Sequence, residues 1–204
     1  TLEVGAKTFF MDRRISASLA LYTTDFENAY FFLFDPGTST QNLGTIDEVT
    51  YSGLEFEANA LISESLSAYI GVGLTDSEID KAADPSHVGN QAPLVSETTL
   101  NIGATYRQNT GLFGGNADFI GRFDYQYTGD TWWEPGNVSS RSPITVVDFR
   151  IGLEAEDDWS LMFWTKNAFD EEYNTEYSPG PAPGYNFLWK ALPSRWGVDF
   201  MKRF

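Results

Sequence analysis

Pro193-Ser194-Arg195-Trp196-Gly197-Val198-Asp199-Phe200-Met201-Lys202-Arg203-Phe204 decides the reading of this sequence. Trp196, Val198, Phe200 and Phe204 share one parity, while Gly197, Asp199 and Arg203 share the other. Alternate side chains of a strand point to opposite faces, so this segment is a strand with one apolar and one polar face. A soluble sandwich also contains strands of this kind. The aromatic last residue, with no polar tail behind it, points instead to a strand whose apolar face meets lipid in a membrane barrel.

Working outward, the same alternation recurs in about nine strands. The first is Leu2 to Phe10, followed by a tight turn at Met11-Asp12-Arg13-Arg14. Ile15, Ala17, Leu19 and Leu21 open a long second strand that runs towards Phe34, and Asp35 to Asp47 reads as a long loop. Strands three and four, Val49 to Leu61 and Leu66 to Glu78, flank a short turn at Ser63-Glu64-Ser65. After a polar loop from Ile79 to Pro93 come strand five, Val95 to Arg107, and strand six, Asn116 to Thr128, with the Gly-rich turn Gln108 to Gly115 between them. Gly129 to Pro143 is a loop bearing Trp132-Trp133. Strand seven is centred on Val147, Phe149, Ile151 and Leu153, and a turn at Glu156-Asp157-Asp158 leads to strand eight, Trp159 to Ala168. Asp170 to Leu192 is a long Pro/Gly segment before the closing strand.

Two regularities favour a barrel over a sandwich. Short turns and long loops alternate, as they do between the periplasmic and external rims of outer-membrane barrels. Every proline lies in a long connection or at the entry to the last strand, none inside a ladder that needs each N–H. The polar parity carries Asp118, Asp124, Asp148, Glu154 and Asp199 beside Arg107, Arg122, Arg150 and Arg203. Such charges are costly in lipid, whereas in a wet lumen they pair across strands.

Three motifs carry a family resemblance. Pro193-Ser194-Arg195-Trp196-Gly197-Val198 with its strand resembles the closing strand of TonB-dependent outer-membrane receptors. Lys166-Asn167-Ala168-Phe169-Asp170-Glu171-Glu172-Tyr173 is similar to their Lys-Asn-x-Phe-Asp-x-x-Tyr signature. Gly53-Leu54-Glu55-Phe56-Glu57 resembles their Gly-hydrophobic-Glu-hydrophobic-Glu strand. Lys202 departs from the pattern, and a lysine near a rim can snorkel to headgroups. The resemblance implies an all-β fold: the C-terminal strands, residues 1–204, of an antiparallel transmembrane β-barrel of about 22 strands. It implies active uptake of a scarce nutrient, a ferric siderophore above all, with oligosaccharide or cobalamin uptake as alternatives. Its implied partners are outer-membrane lipid, the plug and earlier strands, the TonB complex through an amino-terminal part, and the barrel-assembly machinery. A Gram-negative outer membrane is the implied location.

Composition narrows the classes. The 204 residues contain no cysteine, so disulfides and thiolate chemistry are excluded. A net charge of −16 argues against nucleic acid. No run approaches the ~18 apolar residues of a membrane-spanning helix. The sequence shows no export signal or plug-like region, which leads to the expectation of a carboxy-terminal piece of a longer chain. A passive porin, a barrel enzyme and a soluble sandwich are the other classes to weigh.

The only histidine, His87, has no partners suited to a triad or a zinc site in the sequence around it, so no enzyme activity, cofactor or metal is expected. Acidic residues crowd the expected external loops, either as a solvated rim or as a field that steers cations. Trp132, Trp133, Glu134, Tyr177, Tyr185 and Trp189 are the candidate ligand-binding residues, because rings offer flat amphipathic surface. For Trp132 and Trp133 the alternative is an interfacial girdle; for Tyr177, Tyr185 and Trp189 it is loop packing. Trp196, Val198, Phe200 and Phe204 form the candidate assembly signal.

Overall fold

The computed structural model describes residues 1–35, 38, 40–155, 159–179 and 186–202. Its strands are β1 (Leu2–Phe10), β2 (Ile15–Asp35), β3 (Thr40–Leu61), β4 (Leu66–Lys81), β5 (Thr98–Asn109), β6 (Ala117–Thr128), β7 (Thr131–Trp132), β8 (Ser140–Arg141), β9 (Ile144–Ala155), β10 (Trp159–Lys166), β11 (Asn174–Pro179), β12 (Asn186–Lys190) and β13 (Arg195–Lys202). Nine of them form one sheet in the order β1-β2-β3-β4-β5-β6-β9-β10-β13, antiparallel throughout. Two small ribbons, β7-β8 and β11-β12, stand outside it.

Register makes this sheet two-faced. Ala6, Leu19, Phe56, Val72, Leu100 and Tyr127 lie directly opposite one another across six strands. The apolar rows continue as Gly121, Ile151, Phe163 and Val198, and as Phe119, Leu153, Leu161 and Phe200. Among the described residues no second layer covers these rows: Leu74 is 45% exposed, Ile151 48% and Phe200 66%. An oily face of this extent without a packing partner is what a wall in hydrocarbon requires.

The same face also marks where the oily band ends. Along β4 the outer residues run Leu66, Ala68, Ile70, Val72 and Leu74, then Asp76, Glu78 and Asp80. The apolar part is about 26 Å long at ~3.3 Å per residue, which a tilt of ~40° reduces to roughly 20 Å of height. Asp25 and Glu27 on β2 and Glu48 on β3 lie in the acidic continuation of the same rows.

The opposite face carries charges of both signs and pairs several of them. Arg107 bridges Asp118 at 3.1 Å and also Glu154. Arg122 holds Asp124 at 2.7 Å, and Lys166 holds Asp148 at 2.6 Å. Arg203 lies outside the described residues. Large side chains on this face lie over glycines of the neighbouring strand: Tyr22 over Gly53, Tyr69 over Gly103, Met162 over Gly152 and Trp164 over Gly197. A Cβ at Gly103 would fall inside the Tyr69 ring. The flat ring then reaches one strand further, where its hydroxyl donates to Asp124 at 2.9 Å.

Three expectations need correction. Residues 40–47 are strand and not loop: β2 and β3 stay paired as far as Asp35 and Thr40, so the hairpin rises well beyond the oily band. The alternation there breaks up among Gly, Thr, Asn and Gln, because a ladder in water needs no apolar face. Within the Pro/Gly segment, Asn174–Pro179 and Asn186–Lys190 pair as a ribbon, and Pro179 closes β11 instead of lying in a loop. Strand eight stops at Lys166, two residues earlier than the pattern suggests. The turn at 156–158 lies outside the described residues.

The main buried cluster is at the outer end: Ile46, Val49, Ile79 and Ala92, flanked by Ala29, Phe31, Tyr51, Ala82 and Val95. It seats the connection 82–97. Gly89 N–H donates to Ile79 O at 2.9 Å and Ile79 N–H to Asn90 O at 2.9 Å, continuing the ladder above the start of β5. The Ala92 N–H donates to Ser77 Oγ at 3.2 Å, and Ser77 belongs to the charged parity, so this connection folds over the inner face.

Two outcomes test these faces. Phe149→Arg, placed in the oily band, should destabilise the full-length receptor in lipid vesicles by ~2–4 kcal/mol, read from urea-dependent unfolding; no change would mean the face is assigned the wrong way round. Gly103→Ala should cost about 1–3 kcal/mol by overpacking against Tyr69. Combining it with Tyr69→Ala should cost less than the sum of the two, because the clash then has no ring.

Candidate functional site

Three outer connections, 82–97, 129–143 and the described parts of 167–194, interlock above the wall. Asn137, at φ 51, is the joint between the first two. Its amide oxygen accepts from Gln91 N–H at 2.9 Å and its amide nitrogen donates to Gln91 O at 3.0 Å. Asn90 Nδ2 donates to Pro135 O at 2.8 Å, and Leu94 N–H to Trp132 O at 2.8 Å. In the first connection Asp84 caps the turn Pro85–His87 by accepting from Ser86 N–H at 2.9 Å and Ser86 Oγ at 2.8 Å. Those two donors hold the Asp84 carboxyl below its usual range. The turn is therefore fully stabilised above the ordinary carboxylate pKa and loses that support as pH falls through the lower value.

The second and third connections meet through aromatic rings. Trp133 stacks on Tyr177 with centroids 6.1 Å apart and an interplanar angle of 19°. The Arg141 guanidinium lies 5.9 Å from the Trp133 centroid, on β8 of the same connection. Ser139 Oγ donates to the Tyr177 hydroxyl at 3.2 Å. Glu134 turns its own loop: one carboxylate oxygen accepts from Val138 and Ser139 N–H, both at 2.7 Å. Its other oxygen and Arg141 Nε are buried without a hydrogen-bond partner.

The structure therefore brings Trp133, Glu134 and Tyr177 together, with Trp132 in the adjoining ribbon. The Trp133 ring lies against Tyr177 of the β11-β12 ribbon and Arg141 of its own connection. Trp189 is elsewhere: it pairs with Glu176, on the opposite side of the β11-β12 ribbon from Tyr177, and is 49% exposed. Tyr185 lies outside the described residues. Of the assembly residues, Trp196, Val198 and Phe200 lie on the apolar outer face, and Phe204 lies outside the described residues.

Sequence reasoning missed Asn137, Asn90 and Arg141 as joints. Only Asn137 left a signal, an Asn-after-Gly in a loop, the kind of residue that tolerates positive φ. The motif Lys166-Asn167-Ala168-Phe169-Asp170 also gains a physical meaning. Asn167 and Asp170 sit at φ 50 and 56. Asn167 accepts from Glu171 N–H at 2.9 Å, and Asp170 accepts from Ser194 N–H at 2.7 Å, so the two ends of the third connection are tied together. His87 Nε2 stands 3.8 Å from Asp84 Oδ2 in a capped turn. Among the described residues, no three or more His, Asp or Glu side chains converge to hold a metal ion.

The TonB dependent receptor-like β-barrel profile matches residues 1–168. The chain belongs to this family. Its wall sits in the Gram-negative outer membrane, so the oily rows face lipid and the charged face lines the lumen. The ferrichrome outer membrane transporter/phage receptor of Escherichia coli K12 is 28% identical over 178 residues, covering 84% of this chain and 22% of that protein. The chain thus spans about a fifth of that relative's length. Among solved structures, the siderophore receptor PiuA from Acinetobacter baumannii superposes with a TM-score of 0.69 at 18% identity, over 96% of this chain and 27% of its own. The ferric preacinetobactin receptor BauA of the same organism gives 0.70 at 15%, over 96% and 28%. The unliganded ferric citrate transporter FecA gives 0.69 at 17%, over 97% and 30%.

Trp133→Ala removes the stack and the cation–π contact, together about 1–2 kcal/mol. In the folded full-length receptor it should speed proteolytic nicking within 167–194 while leaving the heat-resistant mobility of the barrel unchanged. Equal nicking rates would show that the rings do not hold the loops together.

Proposed function

We propose that the receptor containing this chain takes up a ferric siderophore across the outer membrane, using energy delivered through TonB. The observation that carries this reading is the family match over residues 1–168, on a sheet whose lipid and lumen faces stay separate through nine strands. The curated relative is named for ferrichrome, and structural relatives are named as siderophore or ferric-chelate receptors. Within that protein this chain supplies wall, external loops and the closing strand. The interlocked loops with Trp132, Trp133, Glu134 and Tyr177, together with Trp189 and Tyr185, are the part of it that meets ligand at the mouth. Connections tied together as Asn137 ties 82–97 to 129–143 present a preformed surface, which lowers the entropy cost of capture. The family is one of transport receptors, and the same reading makes the protein a carrier and not an enzyme. Its partners are the plug and earlier strands, the TonB complex and the barrel-assembly machinery.

The test is iron-limited growth and radiolabelled-iron uptake by cells whose only siderophore receptor is the full-length protein, supplied with one ferric hydroxamate or catecholate at a time. Saturable uptake that stops when TonB is deleted is expected. Uptake that persists without TonB would make the barrel a passive pore, and rescue by cobalamin or an oligosaccharide alone would move it to another ligand class. Deleting Phe204 should lower the amount of folded receptor in the outer membrane; unchanged amounts would remove that residue's assembly role.

A further inference from the structure

A slip of one residue would put every side chain of β13 on the wrong face. A slip of two keeps each on its own face, so lipid and water resist it far less. In the observed ladder Leu161 faces Phe200, Phe163 faces Val198 and Trp164 faces Gly197. Drawn two residues along, β13 would set Leu161 opposite Val198 and Phe163 opposite Trp196, still an apolar row. Phe163 and Trp196 are already diagonal neighbours, with ring centroids 6.1 Å apart. Met162 would come opposite Gly197, so that glycine would again have a long side chain across from it. The oily rows and the rings therefore discriminate weakly between the two ladders. In a hairpin the turn makes the choice, because its length and type set the register. The turn between β3 and β4 is of that kind, with Ile62 N–H donating to Leu66 O at 2.8 Å. β10 and β13 are joined instead through the long connection 167–194, and a long loop closes almost equally well on either register.

A clasp at the two ends of that connection does what a short turn does elsewhere. Asn167, 7% exposed, is fixed to β9: its N–H donates to Asp148 Oδ1 at 2.9 Å, and the next N–H, of Ala168, donates to Val147 O at 2.7 Å. The Asn167 amide then turns the chain, accepting from Glu171 N–H at 2.9 Å and donating to Glu171 O at 3.0 Å. The turn sets Asp170 beside the entry to β13, where its Oδ1 accepts from Ser194 N–H at 2.7 Å. Asn167 Nδ2 also reaches Leu192 O, at 3.5 Å. Ser194 immediately precedes β13, so its bond to Asp170 fixes the phase of the strand. Moving β13 by two residues would carry that N–H roughly 6–7 Å away, far beyond a hydrogen bond.

We propose that Asn167 and Asp170 are positioning residues that select the register of β13 while the barrel forms. The clasp takes its position from β9 and passes it to Ser194. The choice matters beyond one ladder. In a closed barrel the stagger accumulated around the ring is linked to strand number and tilt, so it must come out right at the last strand. A closing strand displaced by two residues would reach the far edge of the ring with the wrong stagger. Residues at its ends would then lack ladder partners in hydrocarbon, where each unmade bond is costly. The clasp acts before any cargo arrives, whatever chelate the receptor carries.

The test follows the full-length receptor as it assembles in cells. Residues 1–204 contain no cysteine, and any elsewhere in the receptor is changed to serine. Leu161→Cys with Phe200→Cys then reports the observed ladder, and Leu161→Cys with Val198→Cys reports the ladder slipped by two. Residues directly opposite each other lie within disulfide range, and the periplasm is oxidising. Mass spectrometry of the digest after a short pulse, before heat-resistant receptor appears, reads the yield of each link. Asp170→Ala should raise the slipped link severalfold against the observed one, and Asn167→Ala should do the same. Asp170→Asn keeps an acceptor for Ser194 N–H and should restore the original ratio. An unchanged ratio in both alanine variants would overturn the proposal and leave the clasp as a brace for the loop alone. So would a slipped link raised by Trp164→Ala but not by Asp170→Ala, which would give the choice to the ring over Gly197. The links form before folding is complete, so a variant that never reaches the folded state is read as well.

Discussion

Everything in this fold depends on antiparallel register that holds across nine strands through the oily band; a shift between Glu48 and Val49 opposite β4 lies above that band. A strand has a side-chain period of two, so a slip of one residue at any interface would turn every later strand inside out. Arginines and carboxylates would then face hydrocarbon, and leucines would face the lumen. The observed register keeps Leu19, Phe56, Val72, Leu100 and Tyr127 in one row while Glu57, Asn101 and Gln126 stay in the neighbouring inner row. Lipid on one side and water on the other penalise any alternative. Neither solvent alone would fix the pairing so firmly.

Glycine is the second device, and it explains motifs that otherwise look arbitrary. An inner wall must be smooth enough to contain other matter, yet aromatic side chains on it are large. Laying the ring flat over a cross-strand glycine solves this, as Tyr22 does over Gly53 and Trp164 does over Gly197. Those two glycines are the ones in Gly53-Leu54-Glu55-Phe56-Glu57 and Pro193-Ser194-Arg195-Trp196-Gly197-Val198. In the first motif Leu54 and Phe56 then enter the lipid rows, while Glu55 and Glu57 point inward without an ion pair among the described residues. The motif is thus a ring socket, two lipid contacts and two lumen charges in five residues.

How much was legible in the sequence depends on which solvent a segment faces. Within the oily band, β1 from Leu2 to Phe10 and the onset of β2 at Ile15 follow from alternation alone, because lipid enforces an apolar residue at every second place. Above the band that enforcement stops. The pairing of Thr40 to Asp47 with β2 and the β11-β12 ribbon carry mixed polar residues on both faces, so no periodicity marks them. The candidate site suffered in the same way. Trp133 and Tyr177 stand out as exposed-looking rings, yet their partnership joins residues 44 apart and rests on loops placed by Asn137 and Gln91, whose role only three-dimensional pairing reveals.

The two sheet edges carry the argument one step further. β1 and β13 each pair on one side only in this sheet. Their free sides present backbone N–H and C=O groups at the level of the oily rows, and such groups find no partner in hydrocarbon. Each unsatisfied group costs several kcal/mol there. A nine-stranded wall is therefore stable in a membrane only when other strands complete the ladder on both sides. Edges and oily rows together describe one part of a closed barrel wall, with lipid outside and a polar lumen inside.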